Sequence, residues 1–308
     1  MAQDNIDNSQ VSIHLGKTSA YKSQYDKSLL VREKRSNNRK HLGIENDNLP
    51  FVGYDTWNAY EVSALTDNGL PVVGIAKIIY PCSSRYIVES KSLKLYFNSF
   101  NMTKLGNDAE AVLTEVNKRS TQDLSELLEC DVQILLDSPV YGSSNELYEY
   151  MMYYDEITGT SLNYVTLEDQ NNISISIYQE TPEILKIEQS DGKMRFLHSG
   201  LLKSNCRVTQ QPDHGDVFIR YRGKQQVTDQ SLLEYIVSFR DECHFHEEIC
   251  ETLYKRLWDI GCFDELGVMC LYTRRGGIDL NPERASHVHL LHSTLSNSTF
   301  THVKTPRQ

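Results

Sequence analysis

The sequence has no run of eighteen apolar residues and so offers no membrane-spanning helix. Its start, Met1 to Gln10, is polar and lacks the apolar stretch of a secretory signal. No C-x-x-C pair occurs, although the chain holds seven cysteines. An odd number at irregular spacing fits reduced thiols in the cytoplasm better than a disulfide framework. The patterns G-x-G-x-x-G, P-loop and H-E-x-x-H are missing too, which leaves a Rossmann cofactor site and a zincin centre unsupported. Positive charge is in the minority, with 31 Lys and Arg against 42 Asp and Glu and a net charge of -11. That balance argues against a protein whose main task is to hold nucleic acid or an anionic membrane. An anionic cofactor then has to be held by local clusters of Lys and Arg.

What is there is ordinary globular material: 308 residues, 39% hydrophobic and 24% charged, long enough for two modest cores. The basic run Arg32, Lys34, Arg35, Arg39 and Lys40 reads as a solvated arm, so residues 1–40 are expected to form a polar N-terminal arm. Trp57 to Leu65 and Val72 to Tyr80 read as strands, and Asn68-Gly69 between them signals a hairpin.

An internal repeat organises the remainder. Ser92-Leu93-x-x-Tyr96-x-x-Ser99-Phe100 recurs as Ser231-Leu232-x-x-Tyr235-x-x-Ser238-Phe239. Leu93, Tyr96, Phe97 and Phe100 fall at i, i+3, i+4 and i+7, as do Leu232, Tyr235, Ile236 and Phe239, so both copies predict amphipathic helices. A second helical stretch follows each, Asp108 to Asn117 and Glu247 to Ile260, the latter stopped by Gly261. Alternating strands come next, through Val132, Ile134 and Leu136 and through Val268, Cys270 and Tyr272. The shared order is β-β-α-α-β-β, an α+β fold of two modules, residues 41–189 and 190–308. Glu89-Ser90-Lys91 precedes the first helix where Thr228-Asp229-Gln230 precedes the second, and His244-Phe245-His246-Glu247 follows the second alone. Such complementary loss is expected of copies that share one composite site; independent drift of surface loops is the alternative.

Four segments carry chemistry. Cys206, in Ser204-Asn205-Cys206-Arg207, ends the predicted strand Arg195 to Lys203, and Pro212 and Gly215 shape a loop that returns Asp213 toward it. A thiol attacks at neutral pH only with a base or an electropositive setting. A neighbouring carboxylate can take its proton as attack begins and then pass one to the atom that gains charge, which suits addition to a nitrile. Cys206 as a small buried hydrophobe is the plain alternative. Cys243-His244-x-His246-Glu247-x-x-Cys250 invites a zinc reading, but its spacing matches no standard ligand set, so no metal is expected. Glu247 at a helix start can instead accept two adjacent N–H donors of a guanine-like edge, or simply complement the helix dipole. Glu89-Ser90-Lys91-Ser92-Leu93-Lys94 sets cations at a strand-to-helix junction that favours phosphate, and Arg274-Arg275-Gly276-Gly277 is a second basic turn.

Taken together these segments resemble the NADPH-dependent 7-cyano-7-deazaguanine reductases, the QueF family, in their two-module form, from about Leu42 to Ser286. The resemblance implies tandem tunnelling-fold modules, each an antiparallel sheet with helices on one face. It implies reduction of a nitrile to an aminomethyl group with two NADPH, in queuosine biosynthesis, by a cytoplasmic homodimer acting on a small deazapurine. It also implies roles: Cys206 as the nucleophile that forms a thioimide and Asp213 as the proton donor. Val88, Glu89, Ser90, His246 and Glu247 would hold substrate, and Ser90, Lys91, Arg275 and Gly276 would contact NADPH. His246 is a candidate to serve the second-step nitrogen. Departures from the family are Val31 to Arg35 in place of an apolar, proline-containing stretch, Ala64 in place of Trp, and Arg207 and His214 beside the active pair. Cys82 is expected to be structural. The rival readings are a cyclohydrolase-like pterin or purine enzyme on the same fold, which would want a metal, and a purine-binding module without catalysis.

Overall fold

A computed structural model describes residues 22, 24–138, 151–153, 165–169, 174–261, 263–292, 302–304 and 308. The polar start Met1 to Gln10 lies outside the described residues, as do residues 11–21 and 23 of the predicted arm.

In chain order the elements begin with β1 (Arg32–Lys34), α1 (Ser36–Arg39), β2 (Val52–Leu65), β3 (Pro71–Pro81) and β4 (Tyr86–Val88). Then come α2 (Ser90–Asn98), α3 (Ala109–Leu128), β5 (Gln133–Asp137), β6 (Met151–Tyr153), β7 (Val165–Thr166) and β8 (Ile187–Gln189). The second half continues with β9 (Arg195–Cys206), β10 (Pro212–Arg222), β11 (Gln225–Val227), α4 (Asp229–Ser238), β12 (Cys243–His244) and α5 (His246–Asp259). It closes with β13 (Glu265–Tyr272), β14 (Ile278–Ala285) and β15 (His302–Lys304). No helix among the described residues is long and apolar enough to cross a membrane.

The elements follow from local chemistry. The β2–β3 hairpin turns where expected: Gly69 takes φ 89, and Thr66 Oγ1 accepts from Leu70 N at 2.9 Å. α3 runs past the predicted Asn117 to Leu128, because its buried stripe of Val112 and Val116 continues through Leu124 and Leu128. Asp108 caps it by accepting from Ala111 N at 2.8 Å, and Glu129 ends it in the left-handed region at φ 55. α5 stops at Gly261, whose φ of 72 suits the left-handed exit predicted for it.

The large strands form one nine-stranded sheet in the order β12-β9-β10-β13-β14-β2-β3-β5, with β7 paired beside β9. Its neighbours are antiparallel except where β12 and β7 meet β9. In the second half the order is two long strands, two helices and two long strands. The halves join where β14 pairs with β2, from Ile278 opposite Ala59 to Ala285 opposite Val52. Alternate residues of β14 share a face: Ile278 and Leu280 enter the core under α2 and α3, while Arg284 meets Glu251 of α5. All four long helices therefore cover the same side of the sheet.

Two cores result. One gathers Val217, Ile219, Leu232, Tyr235, Leu253 and Val268 with Phe51 and Cys82; the other gathers Trp57, Ile78, Leu93, Tyr96, Phe100 and Val116 with Ile278 and Leu280. Each thus takes residues from the opposite half of the chain. Cys82 is a buried core residue, as expected of a structural thiol.

The basic run is corrected by the structure. β1 pairs with β4, and Arg35 and Arg39 are 4% and 1% exposed, so they do not lie on a solvated arm. Their guanidinium forks find buried carboxylates: Arg35 pairs with Asp55, and Arg39 meets Glu251 at 2.7 and 2.9 Å. Charges are tolerated in a core only when partnered in this way. The strap formed by β1 and β4 has a counterpart in β8 and β11. Glu89 N donates to Val31 O and Thr228 N to Lys186 O, both at 2.9 Å. Val31 N reaches Ser92 Oγ and Lys186 N reaches Ser231 Oγ, both at 3.0 Å.

Candidate active site

Cys206 is the last residue of β9, and the chain doubles back at once. Cys206 N donates to Gln211 O and Gln210 N to Cys206 O, both at 2.9 Å, with Gln210 in the left-handed region at φ 56. β10 then brings Asp213 opposite Ser204. Cys206 and Asp213 thereby line one cavity of about 390 Å³. β12 lies parallel to β9 with His244 opposite Cys206, so α5 starts beside the thiol and delivers His246 and Glu247 to the same cavity.

His246 is held on two sides. Its ring stacks on Tyr272 at 3.8 Å and 9°, and its Nε2 lies 3.3 Å from Asp213 Oδ2. Gly215 allows Tyr272 that close, since a Cβ there would meet the tyrosine ring at 3.1 Å. The other oxygen of Asp213 accepts from Arg275. Burial alone would raise the Asp213 carboxyl, but His246 and Arg275 outweigh it and hold the group below the ordinary carboxylate value. Asp213 is therefore an anion at neutral pH.

The opposite wall comes from the first half, with Val88 at the end of β4 and Glu89, Ser90, Lys91 and Lys94 at the start of α2. Glu89 caps that helix: its oxygens accept from Lys91 N at 3.0 Å and Ser92 N at 2.7 Å, while the 8% exposed residue still borders the cavity. Because Glu89 takes those two N–H groups, phosphate attraction at this junction falls chiefly to the side chains of Lys91 and Lys94. Arg275 lines the cavity with its second nitrogen on Gln211 Oε1 at 2.5 Å. Gly276 stands behind the wall, in a tight turn where it and Gly277 take φ 59 and 78; a Cβ on Gly276 would meet Lys94 Nζ at 2.7 Å.

Glu247 is buried as well, at 3% exposure. Its Oε1 has no hydrogen-bond partner among the described residues. Burial first, and Asp55 second, push its carboxyl up to about 8, although Arg35 and Arg284 pull the other way. A buried acid that borders the cavity and has an oxygen without a partner is suited to meet donors.

Trp57 read only as a strand residue and Lys94 only as one of its motif's cations, while Asp279 escaped the sequence reading. Asp279 accepts from Asn58 Nδ2 at 2.7 Å, Tyr60 Oη at 2.6 Å and Asn281 Nδ2 at 2.8 Å. The alternation Ile278-Asp279-Leu280-Asn281 carried a signal for it, because it sets two polar side chains on one face of a buried strand. Arg207, one of the departures, pairs with Glu248 at 2.8 Å. His244 lies between Glu242 at 3.3 Å and Glu248 at 3.4 Å. Burial opposes its protonation, yet the two glutamates raise the ring to about 9. The suspected zinc segment does not converge, for Cys250 is buried against the carbonyls of Val268 and Pro282 at 3.6 and 3.5 Å. Among the described residues no group of three or more His, Cys, Asp or Glu side chains is placed to hold a metal ion.

Residues 21–136 match the family described as nitrile reductase, 7-cyano-7-deazaguanine-reductase N-term, and residues 212–289 match QueF-like protein. The NADPH-dependent 7-cyano-7-deazaguanine reductase of Colwellia psychrerythraea is 40% identical over 278 residues, covering 89% of this chain and 91% of that one. Proteins of the same name from Acidovorax ebreus and Delftia acidovorans are 41% and 39% identical, covering 89% of this chain and 92% and 93% of theirs. The chain belongs to the 7-cyano-7-deazaguanine reductase family. In this member of the family the cavity brings together the motifs of both halves: Val88 to Lys91 on one side, Cys206, Asp213, His246 and Glu247 on the other, with Arg275 at the edge.

Proposed function

We propose that the chain reduces the nitrile of 7-cyano-7-deazaguanine to an aminomethyl group, using two NADPH and a covalent thioimide on Cys206, as a step toward queuosine. The observation that supports it most is the single cavity shared by the thiol, an ionised carboxylate and an unsatisfied buried acid. Asp213 takes the Cys206 proton as sulfur bonds to the nitrile carbon, and the proton moves on to the nitrile nitrogen. The linear nitrile becomes a trigonal thioimide, a better hydride acceptor. Bound NADPH would supply the two hydrides: the first to that carbon, with sulfur leaving as the Cys206 thiolate to give an imine, and the second, with a proton, to give the amine. His246, aligned by Tyr272 and Asp213, is placed to serve the second nitrogen protonation. Walls from both halves exclude water that would hydrolyse the imine.

Glu247 accepts from the ring N–H edge of the substrate, and Glu89, with Val88 and Ser90, holds the opposite side. Ser90, Lys91 and Arg275 contact NADPH. The close turn at Gly276 supports this reading, since any side chain there would displace Lys94. Two tandem tunnelling-fold modules, a homodimer and a cytoplasmic setting complete the reading by family likeness.

Intact mass spectrometry of the protein with the cyano substrate and no NADPH tests the proposal. The protein should gain the ligand's mass on Cys206, and Cys206→Ala should not. No adduct, or an adduct on another cysteine, overturns the covalent route.

A further inference from the structure

Behind Glu247 lies a sealed cluster of charges. Arg35, Arg39 and Arg284 face Asp55 and Glu251, and all five side chains are at most 3% exposed. Arg284 joins the two acids, with NH1 on Asp55 Oδ1 and NH2 on Glu251 Oε1, both at 2.9 Å. Three cations against two anions leave one positive charge in excess. Glu247 sits one helical turn before Glu251 and could balance that excess, but it has no direct partner for Oε1.

The groups that act on Glu247 come from every element packed around it: Asp55 of β2, Arg284 of β14, and Arg35 from the segment leading into α1. Tyr80 of β3 and Tyr272 of β13 also feel its charge. His246, Glu248 and Glu251 share its helix. Burial first and Asp55 second disfavour the Glu247 anion, and Arg35 and Arg284 favour it without outweighing them. A buried carboxylate without donors keeps its proton, and donors arriving on its empty oxygen reverse that preference.

We propose that Arg35 is a positioning residue for substrate capture: with Arg284 it supplies the buried positive excess against which Glu247 gives up its proton when ring N–H donors arrive. Binding of the neutral deazapurine is then coupled to release of a proton. The inference rests on the reading that Glu247 accepts from the substrate ring.

Calorimetry of 7-cyano-7-deazaguanine binding to the Cys206→Ala protein, in buffers of different ionisation enthalpy, counts the proton. Release should be close to one per site at about pH 7 and vanish above about pH 9. Glu247→Gln should bind more weakly and release none. Arg35→Met should bind roughly tenfold more weakly at about pH 7 and regain most of that as pH rises, while Arg35→Lys keeps the parent's pH profile. No proton release by the parent, with Glu247→Gln still weakened, overturns the coupling and leaves the ring contact standing. Unchanged affinity in Glu247→Gln overturns the ring contact itself. A loss in Arg35→Met that is equal at every pH removes Arg35 from the coupling. Should Arg35→Met not fold, the pH profile of Arg35→Lys decides: a profile unlike the parent's overturns the charge-based role.

Discussion

The β2–β3 hairpin and the β9–β10 hairpin are one piece of structure put to two uses. In each, the second strand opens with a proline, Pro71 opposite Leu65 and Pro212 opposite Asn205. The next residue back along the turn makes the same backbone bond, Thr66 N to Leu70 O and Cys206 N to Gln211 O, both at 2.9 Å. Thr66 spends its hydroxyl on closing its own loop, whereas Cys206 leaves its sulfur to the cavity. One residue past the proline stands Val72 in the first hairpin and Asp213 in the second. The helices after them diverge the other way, for α2 is capped by Glu89 through two bonds and α4 by Thr228 through one of 3.4 Å. Cys206 and Asp213 stand in the second half and the carboxylate cap in the first, and the sheet joins them.

Substitutions can break this comparison. The largest effect belongs to Asp213→Asn, which should lower kcat by on the order of a hundredfold or more with little change in KM. Steady-state NADPH oxidation checks it, and a loss confined to KM contradicts the proton role. Next come the shared supports. Tyr96→Phe and Tyr235→Phe each remove a 2.7 Å bond to a carboxylate, Asp123 in one copy and Glu180 in the other. Both should cost about 1.5–3 kcal/mol in urea unfolding. If one costs nothing, the copies differ in their frames as well as in their sites.

Exchanging the caps sharpens the contrast. Glu89→Thr should weaken substrate binding roughly tenfold and cost about 1 kcal/mol of stability, while Thr228→Glu leaves binding unchanged. Equal effects on binding would end the claim that the cap in the first copy belongs to the site. The smallest effect concerns His244, which has no counterpart in the first copy. Its folded value of about 9 exceeds the ordinary 6.5, so its stabilisation is fully present below about pH 6.5 and lost as pH rises through about 9. The urea midpoint of His244→Gln should lack that slope, and an unaltered slope refutes the contribution.

Long periodic segments were legible because strand alternation and helix stripes persist over many residues. The first hairpin and the four long helices stand where they were expected, and the repeat holds at Ser92-to-Phe100 and Ser231-to-Phe239, where Ser99 and Ser238 close the same bond to Tyr96 O and Tyr235 O; the loop expected at Pro212 to Gly215 is instead the start of β10. The motifs at Glu89, Cys206, Asp213 and Glu247 border one cavity. Arg35 and Arg39 misled because their partners are remote: Asp55 lies 20 residues on and Glu251 lies 212. Local sequence shows a charge and not its distant counter-charge. Asp279 was hidden for the same reason, since its donors Asn58 and Tyr60 lie across the β14–β2 seam.

That seam has a consequence for how the protein is made. Residues 278–285 must pair with residues 52–59, so the two strands at the centre of the sheet are among the furthest apart in sequence. During synthesis the early half emerges long before the strand that completes its core with Ile278 and Leu280. A chain cut short before that strand has its thiol yet no enclosed chamber around it. Maturation of the whole molecule therefore waits on β14, and slow assembly through such distant pairing is the expected kinetic signature.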